Sequence, residues 1–200
     1  DVPFDGEAII DTDGILRLKR IPESITIVGG GVIGTEYASI LAALGIPVTL
    51  IDKRPRLLEF VDEEIILTLQ KQMADIGVTL YHDEEVIAIA KEGEHQINVC
   101  LQHAKPIQTN TLMYAVGREG ATKALNLEGI GLEPDQRGRL YVNAHFQTAI
   151  PHIYAAGDVI GFPALASTSM QQGRHASCHA FGISYRTDTD LLPFGIYAIP

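Results

Sequence analysis

Cysteine is almost missing from this chain: 200 residues hold two, Cys100 and Cys178, far apart and in no C-x-x-C or C-x₄-C spacing. They define neither a disulfide framework nor a redox-active dithiol, and the expectation is reduced thiols in a cytoplasmic protein. Positive charge is scarce too, with 15 Lys and Arg against 25 Asp and Glu, a net charge of −10. That excludes a broad nucleic-acid face, which needs a basic surface to neutralise phosphates. A small basic pocket for one phosphorylated ligand stays open. No apolar run approaches the ~18–20 residues of a membrane-spanning helix, so no membrane partner is expected. Asp1-Val2-Pro3-Phe4-Asp5-Gly6 has neither the basic start nor the apolar stretch of a signal peptide. Internal repeats and low-complexity segments are absent as well. What remains is an ordinary globular composition, 46% hydrophobic and 20% charged, enough for one large domain or two small ones.

The opening stretch to about Ser24 reads as turn-rich, broken by Asp11-Thr12-Asp13-Gly14. Ile25–Val28 is then a short β-branched run, as expected of a parallel strand buried on both faces. Ile33, Tyr37, Ile40, Leu41 and Leu44 follow at helical spacing, and Gly45 closes that helix. Pro47 leads into a second strand, Val48–Ile51. Asp62 is a good N-cap for a second helix, with Glu63 and Glu64 in its first turn and Ile65, Ile66, Leu69, Met73 and Ile76 as its buried face. Strand Val78–Tyr81 completes a βαβαβ half. An antiparallel pair, Val86–Ala90 and Ile97–Leu101, is expected around Gly93, then a strand Leu112–Val116. Beyond Arg118 the chain turns loop-like, with a strand ending in Ala155-Ala156-Gly157-Asp158 and a helix over Leu165–Ala180.

Chemistry concentrates at Gly29-x-Gly31-x-x-Gly34. The first glycine allows the tight turn off the strand, and the second lets backbone approach a pyrophosphate. The third lets the helix pack closely on the sheet and aim its free N–H groups at the phosphates. The motif follows a strand, opens a helix and is followed by an acid, Asp52, at the end of the second strand, which is the context a dinucleotide site requires. Asp52 is expected to accept hydrogen bonds from ribose hydroxyls, favouring NAD. Lys53, Arg54 and Arg56 follow at once, either to hold the 2′-phosphate of NADP or as solvated loop charges. The reading is mixed, with NAD preferred. Asp158 either holds sugar or ribityl hydroxyls or caps a turn. His175 and His179 stand four apart beside Cys178, but without an HExxH pattern no metal site is expected.

Val28–Glu36, Ala115-Val-Gly-Arg118 and Thr148-x₅-Tyr154-Ala-Ala-Gly-Asp158 occur in the order found in the pyridine nucleotide-disulfide oxidoreductases, a family this chain resembles along nearly its whole length. The resemblance implies an α/β, Rossmann-like FAD/NAD(P)-binding fold: a parallel sheet with flanking helices and an antiparallel insert. It implies NAD(P)(H) and FAD as cofactors and a homodimer for the full-length protein. By the same resemblance Glu36 is the catalytic glutamate beside the flavin. Gly29, Gly31, Val32, Ile33, Gly34, Asp52, Lys53 and Arg54 bind nucleotide, with the nicotinamide docking at Val32 and Gly117 and Arg118 closing the site. Asp158 holds the ribityl chain, and Leu165 and Ala166 start a helix facing the flavin pyrimidine edge. Ala156–Ser167, Gln172-Gly-Arg174 and Gly195–Pro200 are most similar to members that pass hydride from NADPH to FAD and on to NAD. The alternatives are a dihydrolipoamide dehydrogenase-like disulfide oxidoreductase and a non-catalytic nucleotide-sensing module. The family's first FAD fingerprint, its dithiol segment and its C-terminal domain have no counterpart here, so an excised, catalytically silent piece is expected. Residues 1–21 are then a lead-in from the FAD domain and 22–118 the NAD(P) domain. Residues 119–190 are the returning half of the FAD domain, and 191–200 the start of an interface domain.

Overall fold

Short β-branched and aliphatic runs set the architecture: Ile25–Val28 ends at Gly29, Val48–Ile51 starts after Pro47 and Val78–Tyr81 after Gly77. The structure is a computed structural model and describes residues 2–93, 96–185 and 195–199. Its elements run β1 (Ile9–Asp11), β2 (Ile25–Val28), α1 (Val32–Ala43), β3 (Val48–Ile51), α2 (Glu63–Asp75), β4 (Val78–Tyr81), β5 (Val86–Lys91), β6 (Ile97–Leu101), β7 (Ile107–Thr109), β8 (Thr111–Tyr114) and α3 (Ala166–Ala180). They fall into two units, one of residues 1–117 with 196–200, the other Arg118–Gly195.

The first unit holds a five-stranded parallel sheet ordered β1-β8-β2-β3-β4 and a three-stranded antiparallel sheet β5-β6-β7. Ile25, Ile27, Leu50 and Ile51 are essentially inaccessible, as a sheet covered on both faces demands. Residues expected as turn-rich lead-in instead supply an edge strand. Ile9 and Ile10 are buried and pair in parallel with Leu112 and Met113. The carboxylate of Asp5 accepts the N–H groups of Glu7, Ala8 and Ile9 at 2.8–2.9 Å, which fixes the entry to that strand. Ile9–Asp11 thus join the parallel sheet, because β1 has its hydrogen-bond partner in β8. Of the expected interface segment 191–200 only 195–199 is described, and Ile196 packs against the core of this same unit.

Both helices bury faces that differ from the hydrophobic pattern. In α1 the buried positions are Gly34, Thr35, Ala38, Ser39, Leu41 and Ala42, whereas Leu44 is 70% exposed. Small residues face the sheet because the helix sits too close to it for large ones. In α2 Ile66 and Met73 are buried and Leu69 and Ile76 pack beside them, but Ile65 is 60% exposed. Asp62 caps α2 as expected, its carboxylate accepting Glu64 N–H at 3.0 Å.

Glu84 ties the antiparallel sheet down. Its buried carboxylate accepts the N–H groups of His103 and Ala104, both at 2.9 Å. Burial pushes this carboxyl up, but the N–H groups of His103 and Ala104, with those of Glu85 and Gln102, outweigh it and hold it below the usual range. A depressed folded-state value means the stabilisation is complete above the ordinary glutamate range and is lost as pH falls through the folded value. Glu84→Gln is expected to speed amide exchange at His103 and Ala104, and to narrow the gap to the parent as pH drops. Hydrogen exchange at two pH values checks this; equal exchange in both proteins would remove Glu84 from that role.

The second unit is built largely from turns. Leu140 N–H bonds to Val159 O and Gly157 N–H to the side chain of Gln172, which is buried in α3. The strand expected to end at Asp158 is not formed: Gly157–Ile160 is a 3-10 turn, and only Gln147 and Tyr154 pair as an isolated bridge. Residues 146–148 do run antiparallel beside 153–155, Thr148 N–H bonding to Ile153 O at 2.9 Å and Ala155 N–H to Phe146 O at 3.0 Å, but Gly157, with φ +81°, then turns the chain out of that pairing.

Candidate nucleotide site

The parallel sheet places its switch of strand order between β8 and β2, with β3 on the other side of β2. In open α/β sheets ligands bind in the crevice beyond the strand ends at such a point. Two of the motifs meet there. Val28 pairs with Tyr114, Ala115 N–H bonds to Val28 O at 2.7 Å, and the chain then leaves through Gly117. The Gly29 turn and Ala115–Gly117 are thus side by side.

Each glycine of the turn has a distinct reason to be glycine. Gly29 has φ +109°, and a Cβ there would lie 2.7 Å from Ala115 O. A Cβ on Gly34 would lie 1.8 Å from Gly29 O, so α1 could not approach the sheet. Gly30 was not singled out by the motif, yet its Cβ would meet Leu57 Cδ2 at 2.3 Å. Gly31 alone of the four has nothing within 4 Å of a Cβ. Its backbone is extended, φ −76° and ψ −174°, so the protein itself does not require glycine there. It is the N-cap of α1 and no side chain caps the helix, so the N–H groups of Val32, Ile33 and Gly34 lack intrahelical partners. An open cradle at a free helix N-terminus is what a pyrophosphate needs.

Asp52 ends β3 beside that turn and is 5% exposed. One of its oxygens accepts the Arg54 N–H and Arg54 Nε, both at 2.8 Å. The other accepts Arg54 Nη2 at 2.7 Å and the Gly30 N–H. Burial pushes this carboxyl up, but the Arg54 side chain, then the Arg54 and Gly30 N–H groups, outweigh it and hold it below the usual range. Arg54 is raised in turn by the bonded carboxylate. Lys53 is exposed and, among the described residues, makes no ion pair. Glu36, on α1, accepts the Tyr197 N–H at 2.8 Å.

Arg118, Asp158, Leu165 and Ala166 belong to the second unit. Arg118 Nη1 stands 3.6 Å from Asp158 Oδ2, both well exposed. Leu165 is the N-cap of α3 without a side-chain cap, leaving first-turn N–H groups free, and Thr168 Oγ1 is buried there without a partner. A free carboxylate oxygen and uncapped amides fit the polar edge of a flavin. His145 Nδ1 lies 3.3 Å from His175 Nε2, and Tyr154 Oη lies 2.9 Å from His179 Nδ1. Among the described residues no group of three or more His, Cys, Asp or Glu is placed to hold a metal ion. No helix among them is long and apolar enough to cross a membrane.

A parallel sheet with an open glycine turn at its switch in strand order, joined to an antiparallel insert, is a Rossmann-like architecture of the FAD/NAD(P)-binding class. The chain belongs to the pyridine nucleotide-disulphide oxidoreductase family, whose pattern its residues 2–173 match. It is 50% identical over 199 residues to a soluble pyridine nucleotide transhydrogenase of Mycobacterium bovis, covering 100% of this chain and 42% of that protein. A soluble pyridine nucleotide transhydrogenase of Marinobacter nauticus is 44% identical over 200 residues, covering 100% of this chain and 43% of its own length. The chain thus spans about two fifths of the curated relatives it matches. Among solved structures, LpdA from Mycobacterium tuberculosis superposes with a TM-score of 0.85 at 29% identity over 92% of this chain and 40% of its own. The flavoprotein disulfide reductase RclA from Escherichia coli gives 0.86 at 29% identity, over 96% and 44%. Membership implies FAD and NAD(P)(H) as cofactors.

Proposed function

We propose that this chain supplies the nicotinamide-nucleotide site of a soluble, flavin-dependent transhydrogenase that passes hydride from NADPH to FAD and on to NAD. The observation that carries the reading is Gly31, with open space about it at the uncapped start of α1, in the turn whose Gly29 lies against Ala115 at the switch in strand order. In this reading Gly29 and Gly34 shape the turn, and the amides of Val32 and Ile33 meet the pyrophosphate and nicotinamide side. Asp52, Lys53 and Arg54 face the adenosine ribose. By resemblance to the family, Glu36 is assigned to the flavin, Gly117 and Arg118 to the nucleotide, and Asp158 with Leu165 and Ala166 to the ribityl chain and pyrimidine edge. Residues 22–118 act as the nucleotide domain and 119–190 as part of the flavin domain, in a cytoplasmic homodimer. The flavin and nicotinamide supply the electron chemistry; the chain binds and orients them.

One site used by turns makes a direct demand. NADH and NADPH are expected to bind one per chain, within about a hundredfold of each other in affinity, and to displace one another fully. Competition calorimetry checks this. Absence of binding, or two nucleotides held at once, would overturn the reading.

A further inference from the structure

The carboxylate expected to receive the ribose hydroxyls has no acceptor left to offer. A carboxylate provides about four lone-pair positions. In Asp52 the Arg54 N–H and Nε take one oxygen, while Arg54 Nη2 and the Gly30 N–H take the other. The Arg54 guanidinium therefore sits where a ribose diol would bond. It is held by a two-point, charge-assisted fork, the strongest pairing available to these side chains. Asp52 is nearly inaccessible and Arg54 about one-third exposed, so the pair has an inner, shielded partner and an outer, reachable one.

We infer that Asp52 and Arg54 form a latch that reads the adenosine ribose, staying closed on a 2′-phosphorylated coenzyme and opening for an unphosphorylated one. The inference rests on the nucleotide-site reading above. With the latch closed, the Asp52 charge is neutralised, and a 2′-phosphate meets the remaining Arg54 Nη1 and the exposed Lys53 instead of a bare carboxylate. A 2′-hydroxyl carries no charge to attract Arg54 and can bond to Asp52 only after the fork has swung away. NAD(H) therefore competes with Arg54 for Asp52, whereas NADP(H) does not. A single loop accommodates both coenzymes in this way, at the expense of NAD(H) affinity.

The latch predicts an effect of opposite sign for the two nucleotides. In Arg54→Ala the bare Asp52 should bind NAD(H) about tenfold more tightly and NADP(H) at least about a hundredfold more weakly. Arg54→Lys, which keeps the charge but cannot make the fork, should tighten NAD(H) in part and retain most NADP(H) binding. Titration calorimetry with both nucleotides, plus NMR titration of the Asp52 carboxyl, reads the result. If Arg54→Ala loses NADP(H) while NAD(H) is unchanged or weaker, Arg54 is a phosphate ligand only and the latch is wrong. An Asp52 that titrates alike in parent and Arg54→Ala shows that the fork does not form in solution, which also overturns it. A parent that binds neither nucleotide defeats the site reading itself, an outcome plainly different from either of these.

Discussion

Gly31→Val is expected to weaken NADH and NADPH binding by at least about a hundredfold while lowering the melting temperature by no more than about 4 °C. The two numbers separate because the position belongs to the ligand and not to the fold. A Cβ there has no protein atom within 4 Å, and the φ of −76° suits any residue. Valine is a poorer N-cap than glycine, at a cost on the order of 1 kcal/mol, which accounts for the small thermal loss. Its branched side chain would fill the space a pyrophosphate needs and stand in front of the free N–H groups of Val32, Ile33 and Gly34. Calorimetric titration beside thermal unfolding gives both quantities from one preparation. Parental affinity in a well-folded variant would show that no phosphate approaches at Gly31.

How much of this was legible in the sequence depends on what each residue answers to. β2, β3, β4 and β6 have the bounds their runs suggest: β2 and β3 are β-branched and aliphatic runs buried within the sheet, and β6 alternates buried Ile97, Val99 and Leu101 with half-exposed neighbours. β1 and β7, three residues each, are too short to carry such a signature. β1 is recognisable only from its partner β8, a strand about a hundred residues away in the chain. The buried face of α1 misled for a physical reason: the usual search favours large apolar residues, but a helix pressed onto a sheet buries Gly34, Ala38 and Ala42. The expected strand before Asp158 stops short because its pairing with residues 146–148 reaches only to Ala155, after which Gly157, with φ +81°, starts a 3-10 turn.

Within the site, positions governed by backbone geometry were readable, and those governed by side-chain pairing were not. The Gly29-x-Gly31-x-x-Gly34 spacing announces a turn, a cradle and a close packing, and each has its counterpart in the geometry. Gly30, held by Leu57 and Asp52, escaped because its constraint comes from a loop more than twenty residues on. Asp52 was correctly placed at a strand end, but its spectrum of hydrogen bonds depends on a rotamer of Arg54 that no spacing rule encodes. A local motif fixes where an acid sits; its neighbours decide what that acid still has free.

Gly34→Ala, by contrast with Gly31, should strike the fold directly and lower the melting temperature by roughly 8–16 °C, corresponding to a loss of about 4 kcal/mol. The added Cβ would lie 1.8 Å from Gly29 O and 3.1 Å from Gly29 C. Ordinary overpacking costs about 1–3 kcal/mol because side chains can shift. Here the obstacle is a backbone carbonyl, and its residue is pinned: Gly29 N–H bonds to Ile51 O at 2.8 Å, and its φ of +109° leaves glycine no substitute. Relief therefore requires α1 to move off the sheet, opening the tight contact through Ala38 and Ala42 along the same helix. A glycine that is helical but unobstructed makes the control. Gly173 lies inside α3 with nothing within 4 Å of a Cβ, so Gly173→Ala should raise stability by about 0.5–1 kcal/mol through the smaller entropy of the unfolded chain. Scanning calorimetry on the two variants sets one change of the same chemistry against the other. A Gly34→Ala protein that melts with the parent would mean that α1 does not rest on the Gly29 carbonyl, and the close helix–sheet packing on which the cradle depends would have to be abandoned.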